Sequence, residues 1–189
     1  MVRFAVPALF VVFGAVALAL PLARLWWRHG TFGFVGDRDP VALAFAALVA
    51  GAAAYLGALA AFGPERLGIW SVPPAVAGLG LLAMVGGIGV AAVAQAQMGA
   101  SWRIGIDDRP TGLVVTGLYR WTRHPIYSGL LVFALGVAVA IPSPATLVGV
   151  GLAVAAVVVQ ARREEAHLLR LHGDAYREWA ARVGRFGPW

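Results

Sequence analysis

Long, uninterrupted apolar runs restrict what this chain can fold into more than any single motif does. A helix crossing the hydrocarbon core of a bilayer needs about 20 mostly apolar residues. Five stretches reach or approach that length: Phe4 to Leu22, Val41 to Phe62, Val72 to Ala96, Ile126 to Ile141 and Ala145 to Ala161. Composition agrees, because the 189 residues are 60% hydrophobic and only 13% charged, against roughly 25% charged in a soluble domain. We therefore expect an all-α integral membrane protein of five transmembrane helices, forming a single membrane domain over residues 1–189 with little soluble mass.

The fourth run is short, but Pro142-Ser143-Pro144 behind it reads as a turn. Proline lacks the amide donor and biases its predecessor out of the helical region. Helices four and five are thus expected to form a tight hairpin. The first run has an alternative reading as a signal peptide, since Arg3 precedes an apolar core and Ala19-Leu-Pro-Leu-Ala23 loosely resembles a cleavage site. That core exceeds the usual length of about 7 to 15 residues, so a retained helix is the simpler reading.

Arginine sets the expected orientation. The segments after helices one, three and five carry thirteen arginines, whereas the opposite side has only Arg3 and Arg66. By the positive-inside rule this places the N-terminus outside and the C-terminus in the cytoplasm. Trp26, Trp27, Trp70, Trp102 and Trp121 fall near predicted helix ends, where interfacial aromatics anchor. All fifteen basic residues are arginine, which with the Ala, Gly and Val load suggests a G+C-rich genome and a bacterial inner membrane. With no cysteine, disulfides, thiolate metal sites and a cysteine nucleophile are excluded. Nothing in the sequence suggests nucleic acid as a partner.

Small residues at helical spacing, such as Ala53, Gly57 and Ala61, are expected to let neighbouring helices approach closely. Gly87-Ile-Gly89-Val-Ala-Ala92 satisfies a dinucleotide-binding string, yet it lies inside an apolar helix with no preceding strand. It reads as helix packing, or more weakly as a place where a cofactor rests against the third helix.

The chemistry gathers elsewhere. Ionisable groups at the mouth of a membrane helix cost free energy unless they face protein, water or ligand, and residues 116–127 place Tyr119, Arg120, Arg123, His124 and Tyr127 there. His124 lies 18 residues before Pro142, and Glu164 and Glu165 lie 20 and 21 after Pro144. Arms of nearly equal length folded at that turn return to the same depth, so the hairpin brings His124 to the glutamate pair. Adjacent helical residues diverge by roughly 100°, so one glutamate is expected to face the pocket. His124 beside a proline also has a plain reading as a helix cap, and Arg162 and Arg163 read as lipid anchors. His29, His167 and His172 show no partner pattern, so no metal site is expected. Beyond the fifth helix, Leu168, Leu171, Ala175, Tyr176, Trp179 and Val183 recur at spacings of three and four. This predicts an amphipathic cytoplasmic helix over about 162–183, perturbed near Gly173, which suits the interface and equally a lid over the hairpin mouth.

At these residues the chain resembles the isoprenylcysteine carboxyl methyltransferase and phospholipid methyltransferase family of membrane enzymes. The matching segments are Met98 to Gly105, Gly117 to Tyr127, Glu164-Glu165, Gly173 to Trp179 and Val183 to Phe186, which together cover roughly residues 95 to 189. The resemblance implies a S-adenosylmethionine (SAM) site built from the hairpin mouth and the C-terminal helix, and a lipid-like acceptor entering sideways from the bilayer. It implies that Arg123, His124, Pro125 and Tyr127 line the cofactor pocket and that Glu164 or Glu165, with Tyr176, closes it. Leu118, His172, Trp179 and Gly184 depart from the usual pattern, around the lid and the acceptor side, and leave the acceptor open.

The charges suit that cofactor independently. SAM carries a sulfonium, an ammonium and a carboxylate, so its pocket needs carboxylates for the cations and arginine or backbone amides for the anion. Methyl transfer is an in-line displacement that needs no metal and depends on holding the reacting atoms about 3–3.5 Å apart in alignment. Arg103 or Arg182 would orient a carboxylate acceptor, and His124 or a glutamate would take the proton from an amine. Two other readings stand beside this one: an NADPH-dependent membrane reductase of the sterol-reductase type, and a non-catalytic membrane scaffold.

Overall fold

A computed structural model describes residues 2–29, 40–99 and 112–188. Among these residues the chain is helical throughout its membrane-length segments. The elements are α1 (Val2–Gly14), a π-helical turn (Ala15–Ala19), α2 (Leu20–His29), α3 (Pro40–Phe62), α4 (Pro74–Met98), α5 (Pro125–Ala140) and α6 (Pro144–Ala180). Short 3-10 turns occupy Glu65–Leu67 and Gly117–Arg120. Four apolar segments are long enough to cross a membrane, Val2–Ala23, Pro40–Phe62, Pro74–Met98 and the start of Pro144–Ala180, and the 16-residue α5 is a shorter fifth. The expected helices are thus present, with two differences.

The first run is not a uniform α-helix. In an α-helical ladder the carbonyl of Ala17 would accept from the amide of residue 21, but residue 21 is proline and has none. The ladder slips to π over Ala15–Ala19, with the Leu20 amide reaching Ala15 O. Gln95 of α4 then donates from Nε2 to Ala17 O at 2.8 Å, so a side chain from a neighbouring helix satisfies the carbonyl that proline leaves open. The second difference is that the fifth span and the amphipathic C-terminal helix are one element. From Ala161 to His172 every residue is a competent helix former, so α6 runs on and breaks only at Gly173, whose φ of 55° is left-handed.

The closest packing joins α4 and α5. Buried α4 positions Ala77, Gly80, Met84, Gly87, Ala91 and Ala94 alternate at spacings of three and four, a seam that faces the partner helix. A Cβ at Gly80 would lie 2.7 Å from Gly136 O, and one at Gly87 would lie 2.5 Å from Gly129 O. The helices run antiparallel with their backbones in contact, as small residues permit in membranes. This settles Gly87 as a packing residue, while Gly89 faces open space. The stripe Ala53, Gly57, Ala61 does not pack: all three are exposed, and α3 turns Leu56 and Leu59 inward instead. Leucines fill the wider gap there.

The main core joins Val6, Leu56, Leu59, Met84, Phe133, Ala140 and Ile141, with Phe13 stacked on Phe133 at 4.5 Å. Arg3 caps the C-terminal end of α3, donating to Ala60 O and Ala61 O at 2.9 Å each, where the helix dipole favours a cation. At the Pro142–Pro144 turn Ser143 caps α6 in a reciprocal box with Thr146, and Tyr55 OH meets Ser143 Oγ at 2.9 Å. The turn is thereby fixed, and the opposite end of the hairpin becomes the site. Trp26, Trp27, Trp70 and Trp121 are all exposed near helix ends, and Trp102 lies outside the described residues.

Candidate active site

Three pieces of chain meet where α5 begins. Residues 122–128 lead into α5, α6 passes beside them beyond its apolar part, which ends at Ala161, and residues 183–186 return along both. Thr122 and Gly184 form a short parallel bridge. The Arg123 amide donates to Gly184 O at 2.8 Å and the His124 amide to Arg185 O at 3.1 Å. Thr122 Oγ1 also donates to Arg185 O at 2.9 Å, Arg123 Nε to Val183 O at 2.7 Å, and Ser128 Oγ to Phe186 O at 2.9 Å.

His124 precedes the first residue of α5, the fully buried Pro125, but its side chain makes no cap. The buried ring turns to α6 instead. Its Nε2 lies 3.2 Å from Glu165 Oε1, and its Nδ1 lies 3.5 Å from Glu164 Oε2. Both glutamates therefore meet the same ring. Adjacent carboxylates diverge around the helix, but the two nitrogens of one imidazole bridge the gap. Tyr127 stacks on the same ring with centroids 5.5 Å apart.

The two glutamates have different company. Glu165 is gripped by Arg185, Nε to Oε1 and Nη2 to Oε2 both at 2.8 Å, with Arg123 Nη1 at 3.4 Å from Oε1. Glu164 Oε1 accepts from Tyr127 OH and from Gln160 Nε2, and its side chain is 31% exposed against 13% for Glu165. Burial alone would raise the Glu165 carboxyl, but the Arg185 fork and then His124 outweigh it and hold it at about 2. For His124 burial is the largest single influence and lowers its pKa. The bonds to Glu164 and Glu165 outweigh it, and the net shift is upward. Only the imidazolium donates from both ring nitrogens, which matches a nitrogen facing each carboxylate.

Beside the charges, Ala94, Tyr119, Tyr176, Trp179 and Val183 form a second buried cluster. Burial and the Glu165 carboxylate push the Tyr176 hydroxyl up to about 12, and burial followed by the charge of Glu164 raises Tyr119. Tyr176 OH, Trp179 Nε1 and His172 Nε2 are buried with no hydrogen-bond partner among the described residues. Such atoms cost free energy unless a ligand or water meets them.

The structure thus brings together Arg123, His124, Pro125, Tyr127, Glu164, Glu165 and Tyr176 from the sequence reading. Arg103 lies outside the described residues. Arg182 is exposed, and the guanidinium that grips Glu165 is that of Arg185. Sequence reasoning passed over Arg185, Gln160, Thr122 and Ser128 as site residues. For Arg185 the signal was available, because Val183 to Phe186 was one of the matching segments. Among the described residues no group of His, Asp or Glu side chains is arranged to hold a metal ion.

A family model described as phospholipid methyltransferase matches residues 75–175, more than half of the chain, from α4 through most of α6. The chain belongs to the phospholipid methyltransferase family. It is a membrane methyltransferase that uses SAM as methyl donor. The fold is similar to that of the eukaryotic intramembrane Ras methyltransferase ICMT (isoprenylcysteine carboxyl methyltransferase), with a TM-score of 0.62 and 18% sequence identity, covering 100% of this chain and 70% of that one. At that identity the likeness concerns the fold. No curated protein matches the methyltransferase in sequence. Nothing in the structure or the comparisons favours the reductase reading.

Proposed function

We propose that this methyltransferase binds SAM at the mouth of the α5–α6 hairpin and methylates a lipid-like or small hydrophobic acceptor, a carboxylate, amine or thiol, that enters from the bilayer. One observation carries the reading: His124, Arg123 and both glutamates converge at the polar end of a membrane hairpin. When bound, SAM supplies a methyl group activated by its sulfonium charge.

The residues present fit that group. Glu164 is partly open and its described partners include the neutral Tyr127 and Gln160, so it suits a cationic group. Arg123 suits the carboxylate. The unpartnered polar atoms of His172, Tyr176 and Trp179 offer hydrogen bonds to a nucleoside, and Pro125 and Tyr127 wall the pocket. Since displacement depends on alignment, the chain's main work is to orient both reactants and exclude water. Arg103 or Arg182 orients a carboxylate acceptor. For an amine, Glu164 is better placed than His124 to take the proton, because His124 spends both ring nitrogens on carboxylates.

The length of α5 supports access from the bilayer. Its 16 residues extend about 24 Å, short of a hydrocarbon core of about 30 Å, so a polar cluster at its start is reached by a lipid without leaving the membrane. The arginine asymmetry supports a cytoplasmic site with the N-terminus outside, and the all-arginine basic set with its Ala, Gly and Val load supports a bacterial inner membrane.

The test is incubation of the purified protein with methyl-labelled SAM and host lipid extract, followed by identification of the labelled product. A labelled lipid or hydrophobic small molecule is expected. NADPH binding without SAM binding, or labelling confined to water-soluble compounds, overturns the reading.

A further inference from the structure

Arg185 reaches His124 by two routes, one direct and one through Glu165. Its carbonyl accepts the His124 backbone amide at 3.1 Å, and its guanidinium holds both oxygens of the carboxylate that faces the His124 ring. The same carbonyl takes Thr122 Oγ1 at 2.9 Å, so Arg185 secures the loop before α5 as well as α6. Arg123 approaches Glu165 Oε1 less closely, at 3.4 Å, and its own Nε is committed to Val183 O.

We infer that Arg185 is a positioning residue of the SAM site: through the Glu165 carboxylate and through its own backbone it fixes the His124 ring in the orientation the site requires. This rests on reading the hairpin mouth as the SAM site. Arg185 faces Glu165, so it acts through that carboxylate. A guanidinium fork matches a carboxylate with two parallel bonds, whereas an ammonium is a point charge that cannot set the plane. Lysine therefore keeps the charge and loses the function. The tail is built for the task. A Cβ at Gly184 would lie 1.9 Å from Gly187 O, so glycine alone permits the sharp turn that carries Arg185. The groups facing His124 are Glu164 and Glu165 from α6, Tyr127 from α5, Arg123 beside it, and Arg185 and Phe186 from the tail.

Two measurements on the full-length protein in nanodiscs test this: equilibrium SAM affinity, and the titration of the His124 imidazole by NMR without SAM. Arg185→Lys and Arg185→Gln are each expected to weaken SAM binding about tenfold or more. Both are expected to move the His124 midpoint down toward the ordinary value of about 6.5, as Glu165 swings free. A role of Arg185 as a mere nearby charge predicts the opposite: Arg185→Lys binds like the parent, and Arg185→Gln raises the midpoint because a cation has gone. That result overturns the inference. Should Arg185→Gln fail to fold, Arg185→Lys combined with Glu165→Gln decides, since action through Glu165 requires the double variant to bind no more weakly than Glu165→Gln alone. Additive losses sink the inference. If the parent protein binds no SAM, the proposed function fails, and the His124 titration still decides the role of Arg185.

Discussion

His124 and Glu165 are 41 residues apart in sequence, yet the ring Nε2 and the carboxylate Oε1 lie 3.2 Å apart. The separation spans the whole α5–α6 hairpin, so this contact reports whether the two arms fold back to equal depth. The same ring meets Glu164 through its other nitrogen, which makes His124 the residue that both acidic side chains share.

Replacing His124 by alanine removes a charge-assisted partner from both glutamates. Hydrogen bonds to charged groups are worth about 1.5–3 kcal/mol, which corresponds to about 10- to 100-fold in affinity. SAM binding by His124→Ala, measured by calorimetry, is expected to fall within that range while membrane expression is unchanged. Glu164→Gln is expected to weaken SAM binding similarly with little effect on thermal stability. Glu165→Gln is expected to lower both, because it strands Arg185 and Arg123. Unchanged affinity in His124→Ala would remove the ring from the site.

Stability should depend on pH through the same groups. His124 has a raised folded pKa, so its contribution is complete below the ordinary value of about 6.5 and is lost as pH rises through the folded value. Glu165 is held at about 2 against an ordinary 4.5, so its contribution is complete above about 4.5 and is lost as pH falls toward 2. The melting temperature in detergent is expected to be highest between about pH 4.5 and 6.5. The decline on the alkaline side should disappear in His124→Asn. A decline that survives that substitution assigns it to another group.

Much of this was legible in the sequence because hydrophobic length and hairpin symmetry are one-dimensional signals. Counting residues on either side of Pro142-Ser143-Pro144 was enough to bring His124 to Glu164 and Glu165. Counting could not place Arg185 against Glu165, although the resemblance reached residues 183–186, since that contact depends on a tail that leaves α6, turns at Gly184 and runs back beside residues 122–124. No periodicity encodes such a return. The π turn at Ala15–Ala19 was hidden for a related reason. Pro21 signals a missing donor, but the partner that makes this tolerable, Gln95, comes from a distant helix. The exposed stripe Ala53, Gly57, Ala61 shows the converse: small residues permit close packing, and the Gly80–Gly136 and Gly87–Gly129 pairs show that a matching partner decides where it happens.

The α4–α5 seam gives a stability test with an internal control. A methyl group at Gly87 would meet Gly129 O and the Phe133 backbone, whereas one at Gly89, two residues on, meets nothing within 4 Å. Overpacking costs typically 1–3 kcal/mol, and backbone contacts leave little room to relax. Gly87→Ala is expected to lower the unfolding free energy by about that amount, with Gly89→Ala neutral. Equal behaviour of the two variants would mean that the helices are not in backbone contact.

The contact between Gln95 and Ala17 can be tested by a cycle, because its cause is covalent. If Gln95 is needed only because proline at 21 leaves a carbonyl without its amide, then Gln95→Leu should destabilise the parent by about 0.6–2 kcal/mol, the range for side-chain hydrogen bonds in membranes. In a Pro21→Ala background the α-helical ladder can close on Ala17 O, the π turn relaxes, and the same Gln95→Leu substitution should cost little or nothing. Urea or thermal unfolding of the four proteins gives the coupling directly. A cost for Gln95→Leu that is the same with proline or alanine at position 21 would show that Gln95 serves some purpose other than completing the helix that proline interrupts.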